Sequence, residues 1–414
     1  MKRTITLLLT VCIILTSICI LPVNAKAKEY TYNRKTKTLT ISIKGKMKYN
    51  YYEAPWYYIK KPEHIILKKG ITSIHAEAFA FSYDGNSGTK RSNNDRIKTV
   101  KMPDTVKKIG EFAFAGCKNL SKINLSKKLG RIDDCAFEDC KKLKKITLPK
   151  SLKKIGEDAF NNCHKLKRIT IPKKVRKISA GLFYNCFNLK TVKLHKGITS
   201  IDHEAFEYCK NLSKIKLPAS IKKIDDGVFN GCSKLKSIKL PSKIKSIGES
   251  SFSGCSSIKK FNLPNSVKSI DEDAFSYCYS LKTIKLPEKL TVINPELLRE
   301  CKKLENVNIP NNVTKIGDWA FYGCNSLKTI NIPDKVVEID ECAFHDCKEL
   351  KAITIPKGVK KIGKKAFGYR EKIQPSNDNG YIDVPIKGFT IKSYKGTAAE
   401  KYANDNGFKF VALD

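Results

Sequence analysis

Apolar positions return along the chain with a fixed step. A phenylalanine column begins at Phe114, Phe137 and Phe160, runs to Phe275, resumes at Phe321 and ends at Phe367, with Leu298 in its one gap. A cysteine column from Cys117 to Cys347 and an isoleucine column from Ile109 to Ile362 keep the same step of 23 residues. One unit, Leu235 to Ser257, reads LKSIKLPSKIKSIGESSFSGCSS. Ile238 and Leu240 alternate with Ser237 and Lys239, the pattern of a short strand with one buried face. Pro241 ends that strand, because it has no N–H for the next ladder bond. Ile244 and Ile247 space a second inward segment. Gly248-Glu249 then opens a turn or short helix that drives Phe252 and Cys255 inward. One such coil cannot bury its apolar edge alone, so the coils must stack. The expected fold is an α/β or mainly β solenoid, with parallel strands on one face and short turns or helices on the other.

The ends of the array read differently. Residues 1–25 have the form of an export signal, with basic Lys2 and Arg3, an apolar run from Ile5 to Leu21, and Val23-Asn24-Ala25 as the cleavage site. The expected product is secreted or extracellular, free or held at the cell surface by non-covalent contacts, with no transmembrane span after cleavage. Residues 26–64 read as an N-terminal cap, in which Tyr49, Tyr51, Tyr52, Trp56, Tyr57 and Tyr58 plug the open end of the core. Thirteen coils occupy 65–370. The first, marked by Ile65, Leu67, Ile71, Ile74 and Phe79, carries a loop insertion near 82–94 rich in Gly, Ser and Asn. Residues 371–414 read as a C-terminal cap. Within it, Phe389–Leu413 gives strand, helix and strand, with a Thr397/Glu400 capping box and Gly407 as the helix stop.

The unit LPxxIxxIGxxAFxxCxxLKxI resembles the BspA-type leucine-rich repeat family. Ser126 and His195 stand in place of its proline, and Leu298 in place of its phenylalanine. Leu39-Thr40-Ile41-Ser42, Pro55-Trp56 and Gly70-Ile71-Thr72-Ser73-Ile74 resemble the family's N-terminal module. The stretch from Phe389 to Leu413 resembles a terminal segment of such proteins in anaerobic, gut-type Gram-positive bacteria. The resemblance implies a leucine-rich-repeat solenoid and an extracellular or cell-surface binding protein, adhesin-like. It implies no particular ligand and no catalytic residue.

Charge sharpens the picture. Lys and Arg number 79 against 40 Asp and Glu, a formal net charge of +39. Only 9 of the 79 are Arg, whereas a reader of base edges favours Arg forks, so nucleic acid is disfavoured as a partner. The charge follows the repeat. The three polar strand columns, such as Lys236, Ser237 and Lys239, hold 19 basic residues in 36 positions, and one acid, Glu305. The paired columns after the proline, such as Lys245-Ser246, hold 14 basic residues in 24 positions. The three columns opening the turn hold 17 of the 40 acids, where Asp and Glu suit the start of a short helix. Lys193, Lys216 and Lys239 should stack on consecutive strands. The candidate ligand face comprises Lys190, Lys193, Lys214, Lys216, Lys236, Lys239, Lys260 and Lys285. Its partner would be a macromolecule: a polyanionic glycan, an anionic wall polymer or a host protein. Two alternatives stand beside this reading. The lysine faces can follow from compositional bias alone, and the chain can be a self-assembling envelope component without a host ligand.

No catalytic, cofactor or metal site is expected. The chain has no H-E-x-x-H, G-x-S-x-G, phosphate-binding loop, dinucleotide fingerprint or C-x-x-C. The cysteine column reads as small reduced core residues beside Phe rather than as disulfides. Cys135 and Cys342 fall outside it, two residues before a core Phe.

Overall fold

The computed structural model describes residues 29–50, 53–56, 59, 62–80, 96–373 and 380–414. The export segment, the insertion near 82–94, and Tyr51, Tyr52, Tyr57 and Tyr58 lie outside the described residues. The chain winds into a parallel-strand solenoid of about 15 turns, held together on three sides.

The first side is the strand read at Ile238 and Leu240. Thr38–Ile41, His64–Leu67, Thr99–Lys101 and Lys122–Asn124 form a parallel ladder, closed at its N-terminal edge by the antiparallel strand Tyr30–Asn33. It resumes at Arg168–Thr170 with Thr191–Lys193, again at Lys260–Asn262, Thr283–Lys285 and Asn306–Asn308, and finally at Ala352–Thr354, Thr390–Ser393 and Lys409–Ala412. Alternation sets its faces: Lys260 and Asn262 are exposed while Phe261 between them is buried.

The second side is a narrower parallel ladder of two-residue strands. Lys108–Ile109, Arg131–Ile132 and Lys154–Ile155 are consecutive members, and Val292–Ile293, Lys315–Ile316, Glu338–Ile339 and Lys361–Ile362 end it. Sequence reasoning placed strands on one face; the coil has two strand-bearing sides, because the apolar Ile column after the proline stacks as regularly as the one before it.

The third side resolves the choice between turn and short helix in favour of turns. Each coil enters the left-handed region twice, as at Ser250 (φ 50°) and Gly254 (φ 67°), or Asp273 (φ 58°) and Tyr277 (φ 54°). A right-handed helix cannot hold such residues four apart. Ser253 N–H donates to Ser250 O at 3.0 Å and Cys255 N–H to Phe252 O at 3.1 Å. The alternate N–H groups cross to the next coil: Ser250 donates to Glu272 O at 3.0 Å, Phe252 to Ala274 O at 2.9 Å and Gly254 to Ser276 O at 2.9 Å. Turns therefore form a third inter-coil ladder. Among the described residues the one α-helix is Ala398–Asp405, capped by Thr397, whose side chain accepts from Glu400 N–H, while Glu400 Oε2 accepts from Gly396 N–H at 2.7 Å. Strands Thr390–Ser393 and Lys409–Ala412 flank it, and Gly407 (φ 67°) follows it, as the sequence suggested.

The core is a stack of rings. Phe114, Phe137 and Phe160 lie 5.4 and 5.5 Å apart, each pair within 3° of parallel. Trp56 caps the stack, 6.2 Å from Phe79, with Tyr30 and Tyr49 edge-on to it. That is the plug expected of Tyr49 and Trp56.

The cysteine column has a specific job. Phe114 O accepts the N–H of Cys117 in its own coil at 3.2 Å and the thiol of Cys140 in the next coil at 3.4 Å. Cys163, Cys186 and Cys209 repeat the bond at 3.3, 3.2 and 3.3 Å. A buried carbonyl has two lone pairs to satisfy, and a thiol supplies a donor with little polar cost. The 13 described cysteines are all free thiols. Burial pushes the column thiols upward, Cys278 to about 12.

Phe206→Ala should cost about 3–5 kcal/mol, read from chemical denaturation, because it opens a cavity between two stacked rings. Thiol-reactive reagent should leave the column cysteines of the native protein unlabelled at neutral pH and, after denaturation, should label all 15 cysteines of the full chain, or 13 once residues 1–25 with Cys12 and Cys19 are removed.

Candidate binding face

The two strand ladders carry similar numbers of basic residues but differ in their acids. On the second ladder, Lys108 lies 2.9 Å from Asp133, Lys223 2.8 Å from Asp225 and Lys315 2.8 Å from Asp340. Arg131 also pairs with Asp133, and Lys177 with Asp202. These acids stand at the opening of the turn, two residues after the ladder's basic column. Helix capping was the sequence-based reason for their placement, and it does not hold, since no helix forms there. They offset part of the second ladder's charge instead, pairing with one of its two basic columns, while Lys222 and Lys245 of the other make no ion pair among the described residues. Their neighbours tie coil to coil: Asp134 Oδ1 accepts Glu157 N–H at 2.9 Å, Asp226 Oδ1 accepts Glu249 N–H at 3.0 Å, and Asp318 Oδ1 accepts Glu341 N–H at 2.9 Å.

The first ladder has no such partner column. Carboxylates meet its lysines at two places, near its N-terminal end and at the strand Asn306–Asn308. Glu63 takes Lys37 at 2.7 Å and Lys98 at 2.6 Å, which hold its carboxyl down at about 2, and Glu305 takes Lys282 at 2.8 Å. Between them, Lys190, Lys193, Lys214, Lys216, Lys236, Lys239 and Lys260 make no ion pair among the described residues, nor does Lys285. All eight are exposed. The candidate residues therefore share one side of the solenoid, pointing to solvent from alternate strand positions.

One expectation changes. Lys193 ends the strand Thr191–Lys193, but the coils carrying Lys216 and Lys239 do not hydrogen-bond as strands in the first ladder. Where that ladder is bonded, each lysine in its strands faces an uncharged residue: Lys101 opposite Asn124, Lys122 opposite Thr99, Lys193 opposite Thr170, Lys260 opposite Thr283, Lys285 opposite Asn262 and Asn308. The successive like charges, Lys122–Lys145–Arg168 and Lys193–Lys216–Lys239, fall where the bonding lapses. Like charges directly opposite each other destabilise a strand pair. The ladder lapses once more at Thr329 and Ile330, where the facing strand positions are uncharged, so like charge accompanies two of its breaks and not the third.

Sequence reasoning also missed part of the surface. The corner before the first ladder adds Lys142 and Lys165, which with Lys144 and Lys167 line a groove of about 550 Å³. The signal was present, a lysine just before the Leu column, but it lies outside the strand and was not grouped with it.

A second cluster of polar groups among the described residues joins buried His345, 3.0 Å from Asp383, to Lys365 on the same carboxylate and to Tyr322, which bonds Glu371. Other histidines bond to the neighbouring coil, as His64 Nδ1 with Thr99 Oγ1 at 2.8 Å and His195 Nε2 with Val175 O at 2.9 Å. Among the described residues no group of His, Cys, Asp or Glu is placed to hold a metal ion, and no helix is long and apolar enough to cross a membrane. Cys135 and Cys342, both at left-handed turn positions, are pushed up to about 12 and about 11 by burial.

The family description "BspA type leucine rich repeat region" matches residues 89–213, 199–328 and 291–379. The chain belongs to the BspA-type leucine-rich repeat family. Among solved structures, a leucine-rich repeat protein from Bacteroides ovatus is similar at 25% identity and a TM-score of 0.68, over 93% of this chain and 98% of that one. A leucine rich cell surface protein from Faecalibacterium prausnitzii is similar at 24% identity and 0.54, over 82% and 94%. The pneumococcal vaccine antigen PcpA shares the fold at 17% identity and 0.51, over 94% and 98%. No curated protein matches the chain in sequence.

Lys216→Thr removes both like-charged neighbours from the middle of this leucine-rich repeat face. It should raise stability by about 0.5–1 kcal/mol in urea unfolding, and by less as salt is added.

Proposed function

We propose that this BspA-type protein is exported, works at the cell surface or outside the cell, and holds a polyanionic macromolecule on its first-ladder face. The observation that carries the reading is the sorting of acids. The same repeat that gives the second ladder its carboxylates leaves the first ladder's lysines without them. Compositional bias alone would load both sides with lysine but would not withhold acids from one. The export-like segment at 1–25 supports an outside location, where anionic glycans and wall polymers are the available polyanions. A solenoid of this length offers such a polymer an extended row of charges.

Binding should be electrostatic and should weaken steeply with salt. The triple variant Lys193→Glu, Lys216→Glu, Lys239→Glu should lose at least about tenfold in affinity for a heparin or teichoic-acid matrix. Retention equal to that of the unaltered protein would contradict the proposal.

A further inference from the structure

The groove at the coil corner has more chemistry than a charged surface. The corner is a tight turn repeated in successive coils: Leu143 N–H donates to Cys140 O at 2.9 Å, and Leu166 N–H to Cys163 O at 3.0 Å. Stacking is kept by Lys165 N–H, which donates to Lys141 O of the preceding coil at 3.2 Å. The turn brings the residue before the Leu column beside the residue after it. Two coils thus place Lys142, Lys144, Lys165 and Lys167 around one groove of about 550 Å³, closed at its ends by Ser121 and Asn188. The ion pair of this corner, Lys141 with Asp139 at 3.4 Å, uses the neighbouring lysine, and the four groove lysines pair with no carboxylate among the described residues.

Both end residues leave acceptors unused. Asn188 Nδ2 donates to His164 O at 2.7 Å, which leaves Oδ1 with no protein partner among the described residues. Ser121 donates its hydroxyl to Lys98 O at 3.2 Å and keeps its lone pairs. Four cationic donors between two neutral acceptors suit a ligand that has both an anionic group and hydroxyls to donate. A bare phosphodiester chain has no donor for the two ends. Base stacking finds no open platform beside the groove either: His164 stacks on Phe187 at 4.7 Å, and Lys210 Nζ lies 5.1 Å over the Phe187 ring.

We infer that this groove is a subsite for an anionic sugar unit, sulfate- or uronate-bearing, of a glycan chain laid along the first ladder. The inference rests on the polyanion reading of that face and narrows it. The sulfate or carboxylate sits among the four ammonium groups, and sugar hydroxyls donate to Asn188 Oδ1 and Ser121 Oγ.

The test is titration of the full chain with a heparin-derived tetrasaccharide, beside full-length heparin. Lys144→Glu with Lys167→Glu should weaken tetrasaccharide binding at least about tenfold. Lys222→Glu with Lys245→Glu makes the same charge change on exposed second-ladder residues and should shift it less than about twofold. Asn188→Ala, which changes no charge, should weaken binding severalfold with an unaltered salt slope. All substituted lysines are exposed, so each variant should keep the parent's thermal unfolding. Equal losses in the two charge-reversal pairs would overturn the subsite, as would tetrasaccharide binding indifferent to Lys144 and Lys167 while full-length heparin still binds. Either result leaves the wider face in place, whereas failure of the unaltered protein to bind either probe removes both. A single-stranded oligonucleotide that binds with the same dependence on Lys144 and Lys167 would overturn the sugar assignment.

Discussion

Each coil is fastened to the next at its phenylalanine. The ring stacks on the ring above, and the carbonyl takes one N–H from its own coil and one thiol from the next, as Phe114 does with Cys117 and Cys140. A residue held by copies of itself has little freedom to change, because its neighbours impose the same shape and the same unpaired lone pair at each step. The stack sets the register of all three ladders. Where Leu298 interrupts the rings, Cys324 still donates its thiol to Leu298 O at 3.3 Å, so the hydrogen-bond column survives the loss of one aromatic.

That register governs the surface too. Outward residues at one repeat position must lie about 4.8 Å from their counterparts, whatever their charge. Two lysines so placed repel by roughly 0.8 kcal/mol in water before screening. The second ladder offsets this with Asp133, Asp202, Asp225 and Asp340. The first ladder accepts it, and its strand bonding lapses at the like-charged runs. A face that keeps an avoidable repulsion is where a function for the charge is to be sought.

Much of this was legible in the sequence. The columns of Phe, Cys and Ile marked coils and core, Trp56 and Tyr49 marked the plug, and Thr397, Glu400 and Gly407 marked the terminal helix. The turns were not legible, because left-handed positions fall on Phe112, Tyr208 and Trp319 as well as on Gly and Asp, and nothing in such residues announces a positive φ. The acids' partners were hidden for a related reason. Asp133 meets Lys108 of the coil before, as Asp202 meets Lys177 and Asp340 meets Lys315, contacts between adjacent coils that a reading within one repeat does not bring together. The corner groove joins Lys142 to Lys144 and Lys165 to Lys167 in the same way, across a turn and across coils.

Lysine footprinting tests the central claim most directly. Acetylation of exposed amines is followed residue by residue with a sulfated glycan present and absent. The account predicts protection along the first ladder and its corner, at Lys144, Lys167, Lys190, Lys193, Lys214 and Lys216, with Lys222 and Lys245 unchanged. Protection spread evenly over both ladders, or confined to the second, would contradict it.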